Sequence, residues 1–197
     1  NLTRVSLRAD KLLPSNISPL CEMLSDPHAS ASLQELDLSD NFLGVEGAKL
    51  LGAAVAANAN LTTLKIGYNL LCCDGCSHLV QSVCDSTSLT SLHLNNNSIT
   101  GACLADLEKL LETCSPLKVL NLNGNRLEPP HIQRLAEVGA QHGVRVLLQG
   151  NNLVLNGFVS VMWIPAHMHS HPYNFSGATV FFNATCPRHS SSPTSVF

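Results

Sequence analysis

The segment from Leu61 to Leu71 reads LTTLKIGYNLL and sets the frame for most of the chain. Apolar residues occupy its positions 1, 4, 6 and 11, and an asparagine occupies position 9. Positions 4 and 6 alternate with polar neighbours, which predicts a short β-strand with Leu64 and Ile66 on its buried face. Asn69 follows the strand, where a buried amide can donate to and accept from backbone groups as the chain turns.

Six copies of this frame, which we call rungs, follow one another along the chain. They begin at residues 2, 33, 61, 89, 117 and 143, so successive starts lie 31, 28, 28, 28 and 26 residues apart. A constant period of this length indicates a stack of repeats. Position 9 of the rungs predicts a ladder of buried asparagines: Asn41, Asn69, Asn97, Asn125 and Asn151. The first rung has Asp10 there, which predicts a frayed, edge-like rung because an ionised carboxylate cannot donate.

The segments between the rungs have the apolar spacing of amphipathic helices. Leu104, Leu107 and Leu111 fall on one helical stripe, and Ala48, Leu51 and Val55 do so two repeats earlier. Alternation of short strands with helices predicts an α/β fold in which the strands pair in parallel.

With this frame and a full helix in each repeat, residues 1–154 resemble leucine-rich repeats of the ribonuclease-inhibitor-like class. The resemblance implies a curved solenoid, with a parallel sheet on its concave face and helices on its convex face. We expect about six rungs within 1–154 and interpret them as a fragment of a larger array.

The repeat pattern ends at residue 154. Residues 146–187 contain no Asp, Glu, Lys or Arg, and 155–197 show neither the repeat nor a helical stripe. We expect an irregular tail over 155–197. It is either a poorly ordered segment that covers the last rung or, as we favour, an alternative C-terminus joined to a truncated array.

Composition and motifs narrow the classes of function. The chain is 13% charged with a net charge of −3, which disfavours a nucleic-acid partner because phosphate binding needs clustered cations. No apolar run reaches the ~20 residues that span a membrane. Nucleophile motifs, paired carboxylates and glycine-rich phosphate loops are missing from the sequence. We therefore expect no enzymatic activity, no cofactor, no small-molecule substrate and no membrane partner.

Two groups of metal-ligand side chains keep a second function open. Cys73 and Cys76 lie near Cys72, His78 and Cys84, a spacing that suits zinc or redox chemistry. We instead place Cys76 on the buried helix face, where Ala48 stands one repeat earlier.

The second group lies in the tail, where His167, His169 and His171 alternate, with Cys186 and His189 further on. In an extended segment the three alternating rings would share one face. We predict no metal site in either group.

A strand that buries positions 4 and 6 presents positions 5 and 7 on the opposite face of the sheet. These positions are polar, varied and weakly charged, and Tyr68 lies just beyond its strand. An ordinary solvated face is the alternative, but we interpret this one as a surface that binds a partner protein. The candidate binding residues are Asp37, Lys65, Tyr68, His93, Asn95, Asn121 and Asn123.

The resemblance implies a protein-interaction module, such as the recognition part of an intracellular sensor or a ubiquitin-ligase adaptor. A metal-binding protein or metalloenzyme and a structural spacer are the alternatives. Neither flank has the cysteine clusters that cap extracellular relatives, and packed, reduced cysteines suit the cytosol. We therefore expect a cytoplasmic location, with the nucleus as the alternative.

Overall fold

A computed structural model of the chain describes residues 2–151, in which each rung contains one three-residue strand. The strands are β1 (Arg4–Ser6), β2 (Glu35–Asp37), β3 (Thr63–Lys65), β4 (Ser91–His93), β5 (Val119–Asn121) and β6 (Arg145–Leu147). They form a single six-stranded sheet in chain order, and every neighbouring pair is parallel. The predicted parallel α/β solenoid is therefore confirmed.

A helix follows each of the first five strands and returns the chain to the start of the next strand. The α-helices are α1 (Ser18–Ser25), α2 (Gly44–Ala56), α3 (Cys72–Val83), α4 (Leu104–Thr113) and α5 (Pro129–Gln141). Short 3-10 helices at Pro14–Asn16 and Gly101–Cys103 precede α1 and α4. Prolines at the start of α5 suit its first turn, where the missing N–H has no intrahelical partner to lose.

The core lies between the sheet and the helices. The centre of each strand pairs with the centre of the next, so that Leu64 and Leu92 stand in register, and both are fully buried. The helices bury the predicted stripes, including Leu51 of α2 and Leu107 of α4, whereas Leu104 is half-buried. Each buried leucine contributes about 1.5–3 kcal/mol relative to an exposed one.

The asparagines at position 9 tie each rung to its neighbours. All five are buried, and Asn97 shows the pattern. Its Nδ2 donates to the carbonyls of Ile66 (2.9 Å) and Leu94 (3.2 Å). Its Oδ1 accepts from the backbone N–H groups of Asn69 (2.8 Å) and Leu71 (3.4 Å). One side chain therefore satisfies backbone groups of two rungs that would otherwise be buried without partners.

The first and last described rungs are less buried than the middle of the stack. Val5 and Val146, at the centres of β1 and β6, are half-buried, and Leu2 is 66% exposed. Asp10, which occupies position 9 of the first rung, is exposed and does not continue the buried ladder. Asn41 of the second rung instead donates to the Leu7 carbonyl of the first (2.9 Å). The predicted irregular tail, 155–197, lies outside the described residues.

Candidate functional site

Four of the candidate residues lie side by side on one face of the sheet. Asp37, Lys65, His93 and Asn121 are the last residues of β2 to β5, and the strand register pairs each with the next. All four are partly exposed, and neighbouring strands lie about 4.8 Å apart. The concave face, which we define as positions 3, 5 and 7 of the rungs, thus carries a continuous row of polar groups.

A second row on this face was missed in the sequence. Position 3 shares the outward direction of position 5, because side chains alternate along a strand. It contributes Arg4, Glu35, Thr63, Ser91, Val119 and Arg145. The alternation already visible in the rung was the signal that could have identified this row.

Glu35, from this second row, organises the charged part of the concave face. Its carboxylate accepts from Lys65 Nζ at 2.6 Å and from Arg4 Nε at 2.8 Å. The hydrogen bond and charge of Lys65, with the charge of Arg4, hold the pKa of Glu35 below its usual range. The Glu35 side chain is only 16% exposed, whereas those of Arg4 and Lys65 are 72% and 34% exposed. The anion is therefore enclosed and the cations face outward.

His93 lies at the centre of the face and is held on both sides. Its Nε2 lies 2.9 Å from Ser91 Oγ, and its Nδ1 lies 3.3 Å from Asn121 Nδ2. Asn121 cannot turn its amide over without cost, because its Oδ1 accepts from the Asn123 N–H at 3.0 Å. The amide therefore donates to Nδ1, which assigns the neutral ring a proton on Nε2.

The surroundings of His93 favour this neutral form. Burial and the charge of Lys65 lower the pKa of His93, and the carboxylates of Asp37 and Glu35 oppose this shift. At neutral pH the ring is therefore an uncharged, oriented group.

The remaining candidate amides form the C-terminal part of the face. The Asn95 amide packs directly over Gly67. A Cβ at position 67 would lie only 2.6–2.8 Å from the atoms of this amide, so a side chain there would collide with Asn95. Asn123 Oδ1 accepts from the Gln149 N–H at 2.7 Å. These amides are placed by the repeat backbone and carry no charge, in contrast to the ion pairs around Glu35.

Tyr68 lies outside the two rows, on the rim where the chain leaves β3. Its φ is 56°, in the left-handed region that disfavours bulky residues. Burial and the charge of Asp40 raise the pKa of Tyr68, and the charge of Arg8 opposes them. Two residues further on, Leu70 also has a left-handed φ of 57° and is 61% exposed. Leu70 was not predicted, because the sequence pattern does not reveal the backbone angle at this position.

The cysteines contribute to packing. Cys73, Cys76 and Cys103 are buried where α3 meets the turn before α4, and Cys73 Sγ lies 3.0 Å from Thr100 Oγ1. A hydrogen bond with Cys103, together with burial, raises the pKa of the Cys73 thiol. Within residues 2–151 no three His, Cys, Asp or Glu side chains are grouped to hold a metal, and no disulfide forms among the seven cysteines there. His167, His169 and His171 lie outside these residues.

Comparisons with known proteins agree with the repeat architecture. Two family models, both described as leucine-rich repeat, match the chain: one over residues 29–52 and the other over 88–110 and 116–135. No curated protein sequence is a significant match. Among solved structures, the chain is similar to "Leiomodin-1 Actin-Binding Site 2 (ABS2)" with a TM-score of 0.58 and 18% identity. The alignment covers 71% of this chain and 81% of that one. At this identity the likeness shows the fold.

No helix within 2–151 has the length and apolar character needed to cross a bilayer.

Proposed function

We propose that this chain, which is a leucine-rich repeat protein, is an interaction module that binds a partner protein across its concave face. One observation carries the proposal: the polar side chains of that face are ordered by one another and are not needed by the core. The core uses the opposite side of every strand, where Leu64 and Leu92 are fully buried.

The order of the face favours binding. Lys65 is fixed by Glu35, and His93 is fixed by Ser91 and Asn121. Side chains that are already oriented lose less conformational entropy when a partner docks, so more of the contact energy appears as affinity. We expect the energy to be concentrated in a few residues near the centre of the surface, with Lys65, Tyr68 and His93 as the first candidates.

The narrower predictions concern the protein that contains this module. A role in an intracellular sensor or a ubiquitin-ligase adaptor, and membership of the ribonuclease-inhibitor-like class, rest on the sequence resemblance. A cytoplasmic location is supported by the buried thiols of Cys76, Cys84 and Cys103, since reduced cysteines are the rule there. The absence of enzymatic activity stays a prediction.

Site-specific photo-cross-linking tests the proposed surface. A benzoylphenylalanine is introduced at Thr63, in the middle of the concave face, and the full chain is irradiated in cells. The matched control carries the same group at Ala53, an exposed position on α2. We expect the Thr63 probe to give a discrete protein adduct that the Ala53 probe does not give.

The charge at the centre of the face provides a second control for this experiment. Lys65→Glu places a carboxylate beside Glu35 and should abolish the Thr63 adduct, whereas Lys109→Glu on α4 should leave it unchanged. Adducts of equal yield at Thr63 and Ala53, or an adduct insensitive to Lys65→Glu, would show that the concave face is not the binding surface.

A further inference from the structure

The charges of this solenoid are separated between its two sides. The concave face carries four cations, Arg4, Arg8, Lys65 and Arg145, and two carboxylates, Glu35 and Asp37, which gives a net charge of +2. The five α-helices carry three cations, Lys49, Lys109 and Arg134, and seven carboxylates, Glu22, Glu46, Asp74, Asp106, Glu108, Glu112 and Glu137, which gives −4. The face proposed to bind is therefore positive on a chain whose overall charge is −3.

The exposed part of the concave face is more positive than its net charge of +2 indicates, because of how these charges are arranged. Glu35 is enclosed by Arg4 and Lys65, and Asp37 Oδ1 accepts from the Ser39 N–H at 2.9 Å. Arg4 and Arg8, by contrast, are exposed at the N-terminal end. Among the groups of the concave face at this end, the guanidinium groups of Arg4 and Arg8 are more exposed than the carboxylates of Glu35 and Asp37, which favours acidic groups on the partner. The carboxylates of Asp10 and Asp40 lie outside this face, at positions 9 and 8 of their rungs.

An apolar anchor lies next to this positive end. Single exposed leucines are ordinary, but Leu70 combines exposure with a left-handed backbone that glycine or asparagine adopts more easily. Tyr68 has the same backbone conformation and lies close enough to Arg8 for the guanidinium charge to affect its phenol. The repeat imposes this conformation at position 8 of every rung, and at position 10 of the first, third and fourth rungs, but it does not require a tyrosine or a leucine there.

We propose that the partner contributes an acidic segment with one large apolar side chain. The apolar side chain lies against Tyr68 and Leu70, and the acidic groups lie against Arg8 and Arg4. Leu70 lies two rung spacings from Arg8, roughly 10 Å, which an extended segment covers in about three residues. This inference rests on the proposed function and identifies the chemistry of its partner.

A protein segment fits this surface better than a nucleic acid. Glu35 and Asp37, on β2, lie between Arg4 of β1 and Lys65 of β3, and Arg145 is on β6 at the far end of the face. A phosphate backbone needs an uninterrupted series of cations. It also offers no apolar side chain for Leu70.

Selection from a random library of 12-residue peptides displayed on phage tests the proposal with the full chain as bait. The variant Arg8→Glu/Leu70→Asn serves for counter-selection. We expect enriched peptides to carry aspartate or glutamate about three residues from a large apolar residue. Fluorescence anisotropy should then show at least a tenfold weaker Kd for Arg8→Glu and for Leu70→Asn.

Matched variants on the helical side control for unspecific effects of charge and hydrophobicity. Lys109→Glu and Leu50→Ser should leave the Kd within twofold, and the Tm of Leu70→Asn should equal or exceed that of the wild type. Enrichment of basic or neutral peptides, no enrichment over the counter-selected variant, or an equal loss in the controls would overturn the inference. Tighter, Arg8-dependent binding of a 12-nucleotide oligothymidine would assign the surface to nucleic acid instead.

The two proposals fail in different ways. A Thr63 adduct that survives Arg8→Glu and Leu70→Asn would retain the concave face as the binding surface and reject the acidic, apolar segment. If the Thr63 adduct does not form and no peptide is enriched, the proposed function fails as well.

Discussion

The third and fourth rungs have buried side chains at the same positions but different side chains on the rim. They comprise residues 61–71 and 89–99. Leu64 and Leu92 are equally buried, and Asn69 and Asn97 occupy the same place in the ladder. At positions 8 and 10, however, the third rung has Tyr68 and Leu70 where the fourth has asparagine and serine. All four of these residues have left-handed backbones, so the geometry is common to both rungs and the side chains are not.

The comparison shows which parts of a rung the stack requires. Position 8 is left-handed in all six rungs, and the last two have Gly124 and Gly150 there. Asparagine and glycine suit this conformation, whereas tyrosine and leucine are held in it at a cost of roughly 1–2 kcal/mol each. The stack accommodates Tyr68 and Leu70 in this conformation, and the binding proposed above would account for these two side chains.

The largest expected effect tests the part that the two rungs share. Asn97→Ala removes the acceptor of two buried N–H groups and should lower the free energy of unfolding by about 4 kcal/mol. Asn69→Ala should cost less, because Asn69 Oδ1 accepts only the longer bond from the Leu43 N–H, at 3.4 Å. Urea denaturation followed by circular dichroism measures both losses.

An asparagine on the concave face is the matched control for the ladder. Asn95→Ala should change the free energy of unfolding by less than about 0.5 kcal/mol, as surface substitutions usually do. Equal losses for Asn95→Ala and Asn97→Ala would contradict the division between ladder and face.

The second effect concerns the buried leucines at the centres of the strands. Leu92→Ala and Leu64→Ala should each lower the free energy of unfolding by roughly 2–5 kcal/mol, because each leaves a cavity in a closed core. The two losses should agree within error, since the rungs bury these residues equally. Thermal stability unchanged by either variant would show that the strand centre does not carry the core.

The third effect is smaller and has the opposite sign. Leu70→Asn should raise the free energy of unfolding by up to ~1 kcal/mol, because asparagine relieves the left-handed backbone and little burial is lost. The reciprocal change, Ser98→Leu, should lower it by a similar amount. Thermal denaturation of both variants checks the pair, and a destabilised Leu70→Asn would assign Leu70 to packing.

The smallest effect is the pH dependence due to His93. Its pKa is lowered in the folded state, so the unfolded chain binds more protons as the pH falls through the range below the ordinary value of about 6.5. The histidine therefore lowers stability on acidification, and His93→Asn should flatten the dependence of Tm on pH between about 7 and 5. The same slope in wild type and variant would show that His93 titrates as an ordinary surface histidine.

Much of the fold was predictable because its physics is periodic. The alternation at Leu64 and Ile66 predicted the strand, and Asn69 predicted the turn that the ladder stabilises. Cys76 was correctly assigned to the buried helix face, since its place in the repeat equals that of Ala48.

The surface was less predictable, because it depends on angles and contacts between rungs. Glu35 forms ion pairs with Arg4 and with Lys65, which is 30 residues away in the chain, and spacing alone does not reveal either pair. The hydrogen bond between His93 and Asn121 also depends on the register of neighbouring strands. In the sequence Leu70 looks like one more leucine of the pattern, and only its exposure in the structure shows that it faces outward.

One paired measurement on Leu70→Asn tests most directly whether the rim of the third rung serves binding and not folding. The free energy of unfolding and the yield of the Thr63 cross-link are determined for this variant and the wild type. If the rim serves binding, Leu70→Asn has an equal or higher free energy of unfolding and loses the adduct. A lower free energy of unfolding with an unchanged adduct would contradict it.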